Sequence, residues 1–324
     1  MSDTIFEVTS RIAMGSKVSR AASSTGVVIL VTGANRGIGL KIVHRMCEVL
    51  ASSPKSTVML SSRSLESATA AVQSIRSAMN HTAVPSEVNL VPRRLDISNQ
   101  ASISELVGAV ESEFGRLDIL INNAGIAYKM ADSTPFPQQA RSTIDVNYYG
   151  TKNTTIAFLP LLRRSVLDGG GRVVSVSSTS GQLKGSSVSE VIQCRFLSET
   201  ATVSDLDKLV EEFVSLAQNG EHKGKGFSGS AYGTSKTAVT QLMRVLDKEE
   251  AQAVQFYSCC PGLCRTDMAG GEWKSFMSVI FWVATWIVGQ SAYAGADTPV
   301  WLSMNDHSEN ISGKFIRNRV QQNY

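Results

Sequence analysis

The stretch Val27-Val28-Ile29-Leu30-Val31-Thr32-Gly33-Ala34-Asn35-Arg36-Gly37-Ile38-Gly39 decides the fold. Its first six residues form a continuous apolar and β-branched run, the pattern of a strand buried on both faces in a parallel sheet. Glycines follow at once, and Ile38, Ile42, Val43, Met46 and Val49 then recur at helical spacing. A glycine-rich turn that ends a strand and opens a helix is the context in which such a motif holds a dinucleotide. Gly33 permits the tight turn, while Gly37 and Gly39 let backbone approach a pyrophosphate and let the helix pack on the strand. The helix N-terminus directs N–H groups and a positive dipole end at phosphate. The spacing is G-x-x-x-G-x-G, not the common G-x-G-x-x-G. Gly33, Asn35, Arg36, Gly37, Ile38 and Gly39 are therefore candidate cofactor-binding residues.

Outward from this turn, strands and helices alternate. Strands are expected at 57–61, 88–91, 117–121, 172–176, 254–257 and 314–316. Helices are expected over 37–50, 64–79, 99–114, 138–162 and 231–249. Strands alternating with helices imply right-handed βαβ units and a doubly wound parallel α/β sheet of seven strands, a Rossmann arrangement. No shift in composition marks a linker. The chain reads as one domain over 26–324 with two insertions, at about 183–229 and 271–290.

The 324 residues are 18% charged and 43% hydrophobic, with a net charge of +3. That is an ordinary globular composition, too weakly charged to argue for nucleic acid or an anionic membrane. Cys47, Cys194, Cys259, Cys260 and Cys264 form neither a paired zinc motif nor an even disulfide framework, and the four histidines are scattered. The expectation is no metal and a reducing, cytoplasmic setting. Residues 1–25 carry Arg11, Lys17 and Arg20 among serines, faintly like a transit peptide, but Asp3 and Glu7 precede them. They read as a disordered extension rather than an organelle signal.

Cofactor choice is decided after the second strand, where an NAD site places an acid on the ribose hydroxyls. Here the segment is Leu60-Ser61-Ser62-Arg63. With no acid there, Arg63 and Arg36 are suited to clamp a 2′-phosphate, which favours NADP(H). Asp96 and Ile97 sit where a loop would meet the adenine. Asn123-Ala124-Gly125 closes the fourth strand beside the cofactor.

Tyr232-Gly233-Thr234-Ser235-Lys236 places a phenol and an ammonium on one helical face, one turn apart. A free tyrosine titrates near 10. A neighbouring ammonium and an oxidised nicotinamide would lower that value, making Tyr232 a general acid in reduction and a base in oxidation. Ser178, after a strand end at Val176-Ser177, offers a hydroxyl for the substrate oxygen.

These motifs together resemble the short-chain dehydrogenase/reductase family, and more narrowly its NADPH-dependent carbonyl reductases. The matching pieces are TGANRGIG (32–39), LDIS (95–98), NNAGI (122–126), VNYYGT (146–151), GRVVSVSS (171–178), AYGTSK (231–236) and CPGLCRTDMAG (260–270). They run in order over most of residues 27 to 318. The resemblance implies a tetrad of Asn147, Ser178, Tyr232 and Lys236, with Asn147 holding a water that relays protons to Lys236, and Lys236 also binding the nicotinamide ribose. It places Pro261 and Gly262 as a cap on the nicotinamide, backbone at Cys264 on the carboxamide, and Thr266 on the phosphates. It also implies reduction of a ketone, aldehyde or quinone carbonyl.

Ser178 and Tyr232 lie 232 − 178 = 54 positions apart, far more than in most of the family. Carbonyl reductases resemble the chain in carrying a helical insertion here. Asp205 to Phe213 reads as an amphipathic helix capped by Ser204. The resemblance implies that it covers the usual dimer face and leaves a monomer. In the second insertion, residues 276–288 are almost wholly apolar, too short to span a bilayer. A lid over an apolar carbonyl substrate, a peripheral membrane contact like that of retinol-dehydrogenase-like relatives, and a buried helix are the three readings. The alternatives to a soluble carbonyl reductase are a membrane-associated retinol, steroid or lipid dehydrogenase, and a non-enzymatic NADP-sensing scaffold.

Overall fold

The computed structural model describes residues 26–52, 55–80, 88–129, 132–250, 253–265, 289–304 and 311–324. The extension at 1–25, the apolar segment 276–288 and Thr266 lie outside the described residues.

Strand β1 (Val28–Val31) is buried along its length, as its unbroken apolar run dictates. It pairs in parallel with β2 (Thr57–Ser62) on one side and β4 (Ile119–Asn122) on the other. The sheet continues through β3 (Asn89–Arg94) at one edge and through β5 (Gly171–Val176), β6 (Val254–Cys260) and β9 (Phe315–Arg317) on the other side. All these pairings are parallel. The seven expected parallel strands are present in the order 3-2-1-4-5-6-9. An eighth, β10 (Val320–Gln321), adds antiparallel to β9, and a separate short parallel pair joins β7 (Cys264–Arg265) to β8 (Gln290–Ser291). Both additions are two-residue pieces without a periodic signature of their own.

Period-two geometry splits β1 between two cores. Ile29 and Val31 face a cluster with Ile42, Val43 and Met46 of α1 (Gly37–Val49), Val72 and Ile75 of α2 (Leu65–Asn80), and Val300. Val28 and Leu30 face the opposite cluster, with Ile103, Leu106 and Val110 of α3 (Gln100–Phe114). Helix α3 starts where Asn99 accepts from the Ser102 amide and stops at Gly115, whose φ of 68° suits only glycine without strain.

The helix expected over 138–162 is not one α-helix. It runs as α4 (Phe136–Thr143), a π-helical stretch over Ile144–Gly150 and α5 (Thr151–Leu162). The first insertion holds α6 (Glu190–Leu197) and α7 (Val203–Gln218). Helix α7 is amphipathic as expected, but Thr202, not Ser204, caps it. Thr202 and Asp205 form a reciprocal capping box, so the acid three residues on selects the threonine. Leu206, Leu209, Val210, Phe213 and Val214 make its buried stripe. Helix α8 (Ala231–Glu249) follows, and α9 (Ala292–Gly295) and α10 (Asp297–Met304) precede β9.

Candidate active site

Chain order reverses between β1 and β4, and in a doubly wound sheet ligands bind outside the carboxyl ends of the strands at that switch point. A cleft of about 510 Å³ lies there. It runs from the end of β2 and the residues after β2 and β3 (Ser62, Arg63, Asp96, Ile97, Ser98) past the glycine turn to those after β5 and β6 (Ser177, Pro261).

The glycine turn is shaped by close approach. Gly33 has φ of 60°, and a Cβ there would stand 2.8 Å from Ala124 Cα. At Gly39 it would stand 2.4 Å from Asn123 Nδ2. Asn123 Nδ2 donates to Thr32 O (3.0 Å) and Gly33 O (2.9 Å). Thr32 Oγ1 accepts from the amides of Asn123 and Ala124, both at 3.0 Å. The motif alone assigns Thr32 no role. Its hydroxyl stitches the ends of β1 and β4 together. The first turn of α1 has no side-chain cap and no acidic residue, so its amides and dipole suit an anion. Arg36 and Arg63, both exposed, line the same part of the cleft. The Asp96 carboxylate accepts from Ser98 N (2.9 Å) and Ser98 Oγ (2.6 Å), which fixes its loop.

At the other end, α8 and the segment after β5 press together. A Cβ at Gly181 would lie 2.5 Å from Thr237 N, and one at Gly233 would lie 2.7 Å from Ser180 O. This packing brings Ser178 beside Tyr232, close enough for the serine hydroxyl to pull the phenol's pKa down. Ser230 caps α8 by accepting from Gly233 N (2.9 Å). Lys236 is buried, 6% exposed, with Nζ 5.6 Å from the Tyr232 ring centroid and donating to Val176 O at 2.7 Å. Asn147, in the π-helical stretch, donates through Nδ2 to Ile126 O (2.9 Å) and Ser235 Oγ (3.0 Å). Its Oδ1 accepts from Ile126 N (2.7 Å). Gly125 sits between the two: a Cβ there would be 3.0 Å from Asn147 Oδ1 and 3.7 Å from Lys236 Nζ.

The electrostatics depart from expectation at the phenol. Burial pushes Tyr232 up to about 12, against the pull of the Ser178 hydroxyl. Burial likewise brings Lys236 down to about 8. Desolvation prevails because it acts on both charged forms in the same enclosed place.

The structure thus gathers Gly33, Asn35, Arg36, Gly37, Ile38, Gly39, Arg63, Asp96, Ile97, Asn123, Ala124, Gly125, Tyr232, Lys236 and Pro261 around one cleft. Asn147 and Ser178 are not in the lining but adjoin it, at Gly125 and Ser177. Gly262, with φ of 79°, and Cys264 follow Pro261 outside the lining. The Cys264 thiol is buried, donates to Pro261 O at 3.3 Å and is raised by burial to about 11, which fits a structural thiol. Ser62, Ser98, Ile126, Lys129 and Val176 also line the cleft without having been singled out. Apart from Lys129, three residues past NNAGI, each lies within a quoted segment, and none has a side chain whose type alone marks it. The glycine cradle and the uncapped, acid-free helix start fit a dinucleotide phosphate.

The model of the short chain dehydrogenase family matches residues 27–190 and 217–275. The chain belongs to the short-chain dehydrogenase family. The unmatched stretch between the two blocks contains most of α6 and α7. Carbonyl reductase (NADPH) 1 of Homo sapiens is 37% identical over 309 residues, covering 92% of this chain and 99% of that protein. Carbonyl reductase (NADPH) 3 of Rattus norvegicus is 35% identical over 311 residues, covering 93% and 100%. Salutaridine reductase from Papaver somniferum shares the fold with a TM-score of 0.72 and 26% identity, over 89% of this chain and 99% of that one. Menthone neomenthol reductase from Mentha piperita matches with a TM-score of 0.70, 24% identity and coverage of 91% and 99%.

Proposed function

We propose that this protein reduces a ketone, aldehyde or quinone carbonyl to the alcohol level with NADPH. One observation carries the reading: Tyr232, beside Ser178 and one helical turn from Lys236, stands at the end of a dinucleotide-shaped cleft. The alignment with NADPH carbonyl reductases over nine-tenths of the chain supports it.

When bound, NADPH supplies a hydride to the carbonyl carbon. Tyr232 gives its phenolic proton to the carbonyl oxygen, and its elevated pKa keeps that proton in place at neutral pH. Ser178 donates to the same oxygen and holds it against the phenol. Lys236, charged below about 8, places a positive group beside the phenolate that forms and has further N–H donors for a ribose. Asn147 ties the Gly125–Ile126 strand end to α8 through its side chain. With both Nδ2 hydrogens engaged, a relay water bonds the remaining acceptor sites of this residue rather than its amide donors. Gly33, Asn35, Arg36, Gly37, Ile38 and Gly39 hold the pyrophosphate side, with Arg36 and Arg63 selecting the 2′-phosphate. Asp96 and Ile97 adjoin the adenine, and Asn123 to Gly125 back the nicotinamide half. Pro261 and Gly262 cap the nicotinamide, with the backbone at Cys264 on its carboxamide.

Among the described residues no helix is long and apolar enough to cross a membrane. The enzyme is proposed to work in the cytoplasm as a monomer. Helix α7 packs on α4 and α8 and occupies the helical face through which an uninserted relative would pair. Loss of NADPH absorbance with a quinone, an aromatic ketone, a steroid ketone and retinal, each repeated with NADH, tests the activity. Turnover of quinone or ketone with NADPH supports it. Silence across the panel despite NADPH binding overturns it. Light scattering tests the monomer.

A further inference from the structure

The π-helical stretch Ile144–Gly150 carries Asn147, and the two residues after it are tyrosines whose hydroxyls reach into the first insertion. Tyr148, whose ring is fully buried, donates to Asp207 Oδ1 at 2.9 Å. Tyr149 donates to Glu211 Oε1 at 2.7 Å. Asp207 and Glu211 stand four residues apart on α7, hence on one helical face. Each carboxylate also takes a cation from the α4–α5 side. Lys152 Nζ lies 2.9 and 2.8 Å from the Asp207 oxygens. Arg141 Nη1 lies 3.1 and 2.8 Å from those of Glu211, while its Nε donates to Asp145 at 2.9 Å. Lys152 Nζ is also 4.7 Å from the Tyr149 ring centroid.

We infer that α7 is a clamp on the active site: Asp207 and Glu211, through Tyr148 and Tyr149, hold the π-helical stretch in the winding that aims Asn147 at Ile126 and Ser235. A π-helix is a locally costly geometry, seen chiefly as isolated turns at functional sites, so it persists only where neighbours enforce it. Here the enforcing groups come from outside the stretch and grip the two residues directly after the asparagine. A hydrogen bond to a carboxylate is stronger than a neutral one. Two such bonds on adjacent residues fix the rotation of the stretch about its axis as well as its distance from α7. The insertion therefore contributes positioning residues to the reaction, in addition to covering a helical face. Tyr148, Tyr149, Asp207 and Glu211 touch neither cleft nor substrate, and act through Asn147.

The kinetic arm of the test rests on the carbonyl-reductase reading, and the exchange arm does not. The double variant Tyr148→Phe/Tyr149→Phe removes two hydroxyls and keeps the rings, so the buried volume is preserved. Glu212→Gln is the control, because Glu212 lies on the same helix but pairs with Arg195 of the insertion itself. The double variant is expected to lose kcat by roughly tenfold, the scale of one lost hydrogen bond to a charged group, with NADPH affinity unchanged. The Ile126 amide, which donates to Asn147, is expected to exchange its hydrogen at least several-fold faster, while β1 amides keep their wild-type rates. The control is expected to move neither. A double variant with wild-type kcat and wild-type Ile126 exchange overturns the clamp. So does a loss of kcat accompanied by equal losses of NADPH affinity and of protection throughout the sheet, which marks general destabilisation. If the wild-type protein reduces no carbonyl, the exchange rates alone decide: faster Ile126 exchange in the double variant upholds the clamp, and no change overturns it.

Discussion

The two ends of the cleft are made of different materials. At the phosphate end, backbone meets backbone: Gly33 against Ala124, Gly39 against Asn123, and a helix start with no side-chain cap. At the reacting end, buried and half-buried side chains make the site: Tyr232 beside Ser178, Lys236 on the Val176 carbonyl, and Asn147 on the Ile126 carbonyl and Ser235. The first end is defined by what must not be present, a Cβ. The second is defined by what must be, a proton donor and the groups that hold it. Damage at the first end should therefore appear in binding, and damage at the second in rate.

The widest separation comes from Tyr232→Phe. The ring fills the same space, and only the proton donor is lost. The expected result is a fall in kcat on the order of a thousandfold, within the range of general-acid contributions, with the NADPH dissociation constant unchanged by fluorescence titration. Undiminished turnover would remove Tyr232 from the chemistry.

Gly39→Ala probes the other end. The added methyl would lie 2.4 Å from Asn123 Nδ2 and 2.7 Å from Gly33 O. Overpacking of this kind costs roughly 1–3 kcal/mol, so NADPH affinity should fall by up to about a hundredfold. With saturating cofactor kcat should largely recover, because Tyr232 and Ser178 are untouched. A permanent loss of kcat with intact affinity would erase the contrast between the ends.

Within the phosphate end, Arg36→Ala and Arg63→Ala sharpen the division further. Each should lower the preference for NADPH over NADH by about tenfold, the scale of one charge-assisted hydrogen bond. Affinity for NADH should scarcely change. Ratios of kcat/KM for the two cofactors check this.

The same contrast explains what the sequence made legible. Glycine has no side chain to hide its purpose, so Gly33, Gly37 and Gly39 after an apolar run declared strand, turn and helix together. Alternating runs implied a doubly wound parallel sheet, because right-handed crossovers leave few other topologies. Tyr232 and Lys236 were legible from helical spacing. The direction of the Tyr232 shift was not, because spacing reports a neighbouring ammonium and says nothing of the depth of burial that outweighs it. The π-helical winding around Asn147 was equally hidden. Its cause is tertiary, in Asp207 and Glu211 some sixty residues away. At the start of α7 Ser204 is a good cap by residue type, whereas Thr202 wins through the reciprocal bond with Asp205. The two-residue strands at 264–265, 290–291 and 320–321 are shorter than any periodicity can mark.

The mildest test uses pH, and Lys236 and Tyr232 make opposite demands on it. For NADPH, kcat/KM reports groups of the free enzyme. Lys236 titrates near 8 and Tyr232 near 12, both moved by burial. Below 8 Lys236 carries its charge and Tyr232 its proton, so reduction proceeds on a plateau. As pH rises through 8 the ammonium is lost, and kcat/KM should reach half its plateau at that point. Tyr232 adds no limb there, because its proton stays until far higher pH. Folding responds with the reverse sign. A lysine whose folded value is depressed binds fewer protons folded than unfolded between 8 and its ordinary value, so its share of stability rises with pH across that window. Rate falling while this contribution to stability grows is a signature that general alkaline unfolding does not share. Lys236→Arg, charged throughout, should flatten the limb at 8. If the limb persists in that variant, the titrating group lies elsewhere, and the reacting end is not governed by its buried lysine.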